Sequence, residues 1–182
     1  MADETLSGHD LKMLDNSIKV ETMRQMKTVV LLALLGLVAA APVSAGDLFF
    51  GAKTGSMIVD SSAVKTDPTN VGILVGYELG LVLGDLALEG ELTTTTSDGK
   101  YNNGTKFDLD TIAAYLAFRT AGPVYLKAKG GFLQVDGDGG SDTGASYGIG
   151  IGFGIGIAQL ELEYTQTAVD PDLAFVSVGV QF

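Results

Sequence analysis

Cysteine is absent from this 182-residue chain, and a single histidine, His9, lies near its start. Without cysteine no disulfide, thiolate metal site or cysteine nucleophile can form. The familiar nucleophilic arrangements also need histidine as general base, and residues 46–182 contain none. We therefore expect no enzymatic activity, and no cofactor or metal.

Positive charge is also scarce. The chain has 11 Lys and Arg against 22 Asp and Glu, a net charge of −11, which argues against binding to nucleic acid. Yet 46% of the residues are hydrophobic, 25 are glycine, and the mean hydropathy is +0.31. An acidic but apolar, glycine-rich composition is unusual for a soluble domain.

No apolar run reaches the roughly 20 residues that a transmembrane helix needs. The longest is in "MKTVVLLALLGLVAAAPVSA", residues 26–45, where a basic start precedes a short apolar core and the small residues Val43-Ser44-Ala45. This pattern predicts a helical signal peptide cleaved after Ala45. Residues 1–25 are a polar extension ahead of it, and we expect translation to begin at Met23 or Met26 instead.

Residues 46–182 show period-2 alternation throughout and no sustained helical period. The alternation predicts eight strands, mostly ten or more residues long, as membrane-spanning strands require: 47–59, 69–81, 84–95, 105–119, 122–135, 144–155, 156–166 and 173–182. Long polar connections alternate with short ones, as in transmembrane barrels. The predicted fold is all-β, a closed eight-stranded antiparallel up-and-down transmembrane β-barrel.

The two faces of these strands differ in polarity. In "YGIGIGFGI", residues 147–155, large apolar residues alternate with glycines. If the large residues face lipid, the glycines line a narrow lumen and leave room for long side chains opposite. The polar register of the other strands supplies such side chains, and we expect an interior charge network: Lys53, Glu78, Glu89, Glu91, Lys127, Lys129, Glu161 and Glu163. Carboxylate-only catalysis by Glu89 with Glu91, or Glu161 with Glu163, stays formally open, but interior ion pairing explains these residues more simply.

Aromatic residues on the apolar register predict two interfacial belts: Phe50, Tyr77, Tyr115 and Phe153 near the short turns, with Phe182, and Phe107, Phe132, Tyr147 and Tyr164 near the long connections. In 105–119 the register stays open. Asp108 and Asp110 suggest one inward face, but Ile112, Leu116 and Phe118 share their parity.

The stretch "DGDGGSDTG", residues 136–144, invites a calcium interpretation. It has Gly140 where an EF-hand loop needs Asp or Asn, and no glutamate at the twelfth position. We expect a flexible acidic surface loop instead.

The signal peptide, the eight alternating strands and the terminal "FVSVGVQF" resemble eight-stranded outer-membrane β-barrels of the OmpA/OmpX type. The resemblance implies an integral protein of the Gram-negative outer membrane, with both termini periplasmic and with lipid and lipopolysaccharide around it. It also implies that Val176, Val178, Val180 and Phe182 form the signal read by the outer-membrane assembly machinery. We expect a monomer.

Three functions fit these observations. The first is a structural or surface-interaction barrel with a plugged polar interior, which eight strands favour because side chains about fill their lumen. The second is a narrow porin-like channel for small solutes or ions, which the inward glycines leave open. The third is a secreted, soluble, lipocalin-like binding barrel, which requires the apolar register to face inward.

Overall fold

A computed structural model describes residues 46–169 and 172–182. The predicted extension over 1–25, the signal peptide over 26–45 and its cleavage after Ala45 lie outside the described residues. Within the described ranges, no helix has the length and apolar character needed to cross a membrane.

Eight antiparallel strands of the described residues close into a barrel, in the neighbour order β1-β11-β10-β9-β8-β7-β4-β3. Their bounds are β1 Gly46–Val59, β3 Thr69–Leu81, β4 Gly84–Ser97, β7 Leu109–Thr120, β8 Val124–Gly137, β9 Gly140–Ile155, β10 Ala158–Thr167 and β11 Leu173–Gln181. Each barrel strand pairs with its neighbours along the chain, so the predicted up-and-down topology is confirmed. The predicted strands match these bounds closely, except near residue 105.

The first and last strands close the barrel. β1 pairs with β11 from Gly51 opposite Gln181 to Val59 opposite Leu173. At the end of this seam, Phe182 N–H donates to the Phe50 carbonyl at 2.9 Å, and Phe50 N–H donates to the Phe182 carbonyl at 3.1 Å. These bonds leave no free edge at the seam, as a sheet surrounded by lipid requires.

The three short turns lie at one end of the barrel, between β3 and β4, β7 and β8, and β9 and β10. The last contains Gly156, whose φ of +63° suits a glycine. The opposite end carries three longer connections, β1 to β3, β4 to β7 and β10 to β11, and the two-residue turn between β8 and β9. Two of the longer connections form a separate three-stranded sheet from β2 Val64–Thr66, β5 Gly99–Tyr101 and β6 Lys106–Phe107. Sequence alternation does not reveal this sheet, because strands of two or three residues are too short to show a period.

The acidic segment 136–144 is not the flexible loop that its composition predicts. β8 and β9 stay paired up to Gly137 opposite Gly140, so that only Asp138 and Gly139 form the turn. Gly140 adopts a φ of +124°, which a side chain would strain. Within the described residues, no group of three or more acidic, His or Cys side chains is arranged to hold a metal ion.

Candidate functional site: the lumen of the barrel

The lumen is organised around a row of glycines on β9. Gly148, Gly150 and Gly152 lie on one face of the strand, while the alternating Ile149 and Ile151 point outward and are 66% and 48% exposed. The pairing register places long side chains of β8 and β10 on either side of the row. The cross-strand neighbours are Lys129 and Thr165 for Gly148, Lys127 and Glu163 for Gly150, and Tyr125 and Glu161 for Gly152.

The lysines of β8 reach across this glycine row to the glutamates of β10. Lys127 Nζ lies 2.8 Å from Glu161 Oε1 and 2.9 Å from Glu163 Oε2. Lys129 Nζ lies 2.6 Å from Glu163 Oε1. A side chain on β9 at these positions would stand between the two charged rows, so the glycines make the ion pairs sterically feasible.

The network continues to the opposite wall of the barrel. Glu91 of β4 pairs with Lys129 at 2.7 Å and also with Lys53 of β1. Lys53 Nζ lies 3.5 Å from Glu163 Oε1, so Glu163 contacts lysines from both walls, Lys53, Lys127 and Lys129. These side chains are nearly inaccessible, with relative side-chain exposures of 5% or less. The ion pairs therefore span the lumen.

Arg119 of β7 is the member of the network that the sequence analysis missed. Its guanidinium contacts Glu89, Glu78 at 3.1 Å and Glu161 at 3.7 Å. It also lies over the Phe49 ring, 4.6 Å from the centroid. With Arg119, five glutamates face four basic residues, so the interior charge is close to balanced. We call these nine residues the charged layer: Lys53, Glu78, Glu89, Glu91, Arg119, Lys127, Lys129, Glu161 and Glu163.

Neutral polar groups complete the charged layer. Arg119 donates to Gln181 Oε1 at 3.0 Å, and Gln181 Nε2 donates to Tyr125 Oη at 3.2 Å. Tyr125 Oη in turn donates to Glu161 Oε2 at 3.1 Å. Buried charges are costly unless they are paired and hydrogen-bonded, and here each carboxylate of the layer has a basic partner.

The structure of β7 shows which face of residues 105–119 points into the lumen. Its odd-numbered residues face inward, including Thr111, Ala113, Ala117 and Arg119, which are 1–7% exposed. Tyr115 belongs to the same inward set, so its assignment to an outward aromatic belt is wrong. Its hydroxyl lies 3.0 Å from Ser146 Oγ, and Lys129 Nζ lies 4.0 Å from its ring centroid.

Phe107 is the second aromatic residue that the belt prediction misplaced. It lies on β6 of the small sheet, where it is 5% exposed and opposite Gly99. Its ring packs against Tyr101, with centroids 4.6 Å apart. Phe107 belongs to the connection between β4 and β7, outside the barrel. The inward and outward alternation of β7 therefore does not apply to it.

The other belt residues have outward side chains. Phe50, Phe132, Tyr147, Phe153, Tyr164 and Phe182 are 42–70% exposed, and Tyr77 is partly exposed. Phe50 and Phe182 form a ring pair with centroids 6.1 Å apart. Val176 and Val178 also face outward, at 39% and 53%, whereas Ser177 and Gln181 on the alternate register are 2% exposed.

Above the charged layer, towards the long connections, the lumen is filled by hydrophobic side chains. We call this cluster the apolar layer: Met57, Ala113, Tyr115, Leu133, Val135, Val169, Leu173 and Phe175. The threonines Thr93 and Thr111, whose hydroxyls lie 2.7 Å apart, stand near the boundary between the layers. Two voids, one in each layer, have volumes of about 10 Å³, room for about one water molecule each.

This geometry opposes the lipocalin-like alternative. A soluble binding barrel needs its apolar register inside, but Ile149, Leu126 and Leu162 point outward and are 54–66% exposed. The charged register points inward. Such a distribution suits a hydrocarbon environment outside the barrel.

Residues 30–182 match the family described as "Outer membrane protein beta-barrel domain". The match spans more than half of the chain, so this protein belongs to that family and is an outer-membrane β-barrel. Lipid of the outer membrane therefore surrounds its outward apolar side chains.

Solved structures include similar barrels. One is Ail, the attachment invasion locus protein of Yersinia pestis, in complex with the heparin analogue sucrose octasulfate. It has a TM-score of 0.52 and 17% identity, over 75% of this chain and 97% of that one. Another is Neisserial surface protein A (NspA), with a TM-score of 0.48 and 16% identity, over 76% of this chain and 98% of that one. At these identities the likeness shows the fold alone. No curated protein matches the sequence.

Proposed function

We propose that this outer-membrane barrel is a structural or surface-interaction protein that conducts neither ions nor solutes. The observation that carries the proposal is the continuous filling of the lumen. Ion pairs centred on Glu163 span its width, and the apolar layer fills it above them. The inward glycines that favoured a pore are covered by the side chains of Tyr125, Lys127 and Lys129.

Planar-bilayer recording tests this proposal. The purified barrel should give no discrete openings under conditions in which a general porin conducts. Reproducible openings whose ion preference changes in Glu89→Lys would favour the narrow-channel alternative and contradict the filled lumen. Because five glutamates face four basic residues, the interior has little excess charge to select ions in any case.

We also propose that the barrel has no catalytic activity. Residues 46–182 lack His and Cys, and the paired carboxylates Glu89 with Glu91 and Glu161 with Glu163 are already occupied by lysine and arginine partners. Mass spectrometry of outer-membrane lipids from cells with and without the protein should give the same acyl composition. A change that disappears in Glu161→Gln would contradict this.

The end with the long connections is the surface we propose for interaction. Residues 46–182 contain seven Lys and Arg residues. Four lie in the lumen, and the other three, Lys65, Lys100 and Lys106, lie exposed on the small sheet. Replacing all three with alanine should weaken retention of the barrel on immobilised lipopolysaccharide saccharide. The buried lysines are unsuitable as a control, because replacing them would disrupt the charged layer. Thr66→Ala, on the same sheet, is the control instead.

We further propose that the terminal segment is an assembly signal. Phe182, Val178 and Val176 share the outward register of β11, where assembly machinery could contact them. Phe50 provides a matched control, because Phe50→Ala and Phe182→Ala remove the same ring pair. Only Phe182→Ala should impair insertion into the outer membrane. Equal effects would mean that the ring pair, and no signal, is what matters.

The remaining proposals concern processing and assembly state. We propose that residues 26–45 are a signal peptide, that translation begins at Met23 or Met26, and that residues 46–182 form a monomeric barrel. Mass spectrometry of the protein from outer-membrane fractions should give an N-terminus at Gly46. Peptides from 1–22 in cells, or a larger species in detergent, would contradict these proposals.

A further inference from the structure

The three short turns of the barrel are unusually apolar. The residues between the strands at this end are Val82 and Leu83, Ala121, Gly122 and Pro123, and Gly156 and Ile157. None of these seven residues has a polar side chain. The largest of them project fully: Val82 is 97% exposed, Ile157 88% and Leu83 79%. Exposed apolar clusters of this kind mark an interaction surface.

This apolar surface is continuous with the outer face of the barrel. Leu81 leads into Val82 and is 54% exposed, and Ile155, which precedes the β9–β10 turn, is 57% exposed. The acidic residues nearest this end do not interrupt the surface. Asp47 and Asp85 lie on the inward registers of β1 and β4, Asp47 opposite Glu78 and Asp85 opposite Arg119. The negative charge thus stays at the mouth of the lumen.

The height of the outer apolar band also indicates that the turns belong to the lipid-facing surface. On β8, from Phe132 to Val124, and on β9, from Tyr147 to Ile155, the band measures about 21 Å along the membrane normal, at about 3.4 Å per residue and a tilt of about 40°. β3 carries a longer run, and β4 and β10 carry shorter ones. An outer-membrane barrel typically has a band of about 25 Å, which β8 and β9 reach only if the turns are included.

We propose that the short turns lie in the headgroup region of the lipid leaflet at their end of the barrel. The side chains of Val82, Leu83 and Ile157 reach the acyl chains, while the turn backbone and the lumen mouth stay hydrated. The lipid-facing surface of the protein then continues around the rim, and no polar collar separates it from the lumen mouth. The partner of this surface is phospholipid, the same partner that the adjoining strands contact.

The absence of tryptophan makes a direct test available, because a single introduced Trp is the only indole in the chain. Val82→Trp and Ile157→Trp report two of the turns independently. Ser62→Trp, in an exposed long connection, is the aqueous control, and Ile151→Trp, on the outer face of β9, is the acyl-chain control. Each full-length variant is refolded into phosphatidylcholine vesicles, plain or brominated on the acyl chains.

Both turn variants should show blue-shifted emission relative to Ser62→Trp, quenching by the brominated lipid and little quenching by iodide. Emission and iodide quenching equal to those of Ser62→Trp would place the turns in water and overturn the proposal. Shielding from both quenchers would overturn it as well, since it would mean that a second copy of the protein covers the rim. If one variant does not fold, the other still decides the matter.

Discussion

The half of the lumen near the short turns and the half near the long connections are filled by side chains of opposite character. The charged layer fills the half near the short turns with ion pairs, and the apolar layer fills the other half with Met57, Leu173, Phe175 and their neighbours. Pairing is obligatory in the first half, because each buried charge depends on specific partners. In the second half only volume and shape must match. The difference teaches that one lumen can be closed by paired charges in one half and by hydrophobic packing in the other.

The largest effect should follow removal of the central carboxylate of the charged layer. Glu163→Ala leaves Lys53, Lys127 and Lys129 buried with one partner fewer each. Breaking a buried pair costs about 3–5 kcal/mol. Urea unfolding of the barrel in vesicles, followed by its heat-modifiable migration on gels, should show this loss in the free energy of unfolding.

A double variant distinguishes the loss of pairing from the loss of side-chain volume. In Glu163→Ala with Lys129→Ala, one of the stranded charges is removed together with its partner, so the double variant should be more stable than the sum of the single effects predicts. Strict additivity would mean that the two charges are not coupled, and that the ion pairs do not determine the stability of this half.

A slightly smaller loss is expected in the apolar layer. Met57 is 2% exposed, and Met57→Ala should cost about 2–5 kcal/mol, depending on how far the layer collapses around the cavity. Ile58 is its neighbour on β1 and faces outward, 41% exposed. Ile58→Ala is therefore the matched control in the same urea experiment. Equal destabilisation by both variants would show that the lumen is no better packed than the lipid-facing surface.

The two layers also differ in how far the sequence reveals them. In the charged layer, Lys127 and Lys129 alternate with lipid-facing residues, so polarity alone assigns their direction. On β7 this contrast disappears. Ala113, Tyr115 and Ala117 face inward, and Ile112 and Leu116 alternate with them, so both faces read as apolar. Residue composition alone therefore cannot distinguish a face that fills an apolar lumen from a face that contacts lipid.

The same reason explains the two aromatic errors and the missed arginine. With both faces apolar, Asp110 favours an inward even-numbered face, which places Tyr115 and Arg119 outward. Phe107 lies beyond the point where the chain leaves the barrel, and no periodicity marks that point. By contrast, the number of barrel strands, most of their bounds and the inward direction of the eight predicted charged residues follow from alternation alone. Which lysine contacts which glutamate depends on the register, which sequence patterns do not supply.

A subtler prediction concerns the glycine row beneath the charged layer. A Cβ added at Gly152 would lie 2.2 Å from the Tyr125 ring, whereas one added at Gly154 would meet nothing within 4 Å. Gly152→Ala should therefore destabilise the barrel by about 1–3 kcal/mol, the usual cost of overpacking, and Gly154→Ala should have almost no effect. The two glycines share the same strand and face, so β-propensity cancels in the comparison. Similar urea midpoints of unfolding for both variants would show that the Tyr125 ring moves aside without cost.

The smallest effect should come from an ion pair outside the lumen. Lys106 Nζ and Asp98 Oδ2 lie 2.9 Å apart on the small sheet, but their side chains are 66% and 44% exposed. Exposed pairs contribute less than about 1 kcal/mol and are screened by salt. Lys106→Ala should change the free energy of unfolding by no more than that, and the change should shrink further at high salt. Lys129→Ala, which removes a lysine from the charged layer, should remain destabilising at every salt concentration, because bulk solvent and its ions do not reach the partners Glu91 and Glu163. A salt dependence of the same size in both variants would mean that the charged layer is open to solvent, and the filled lumen would then have to be given up.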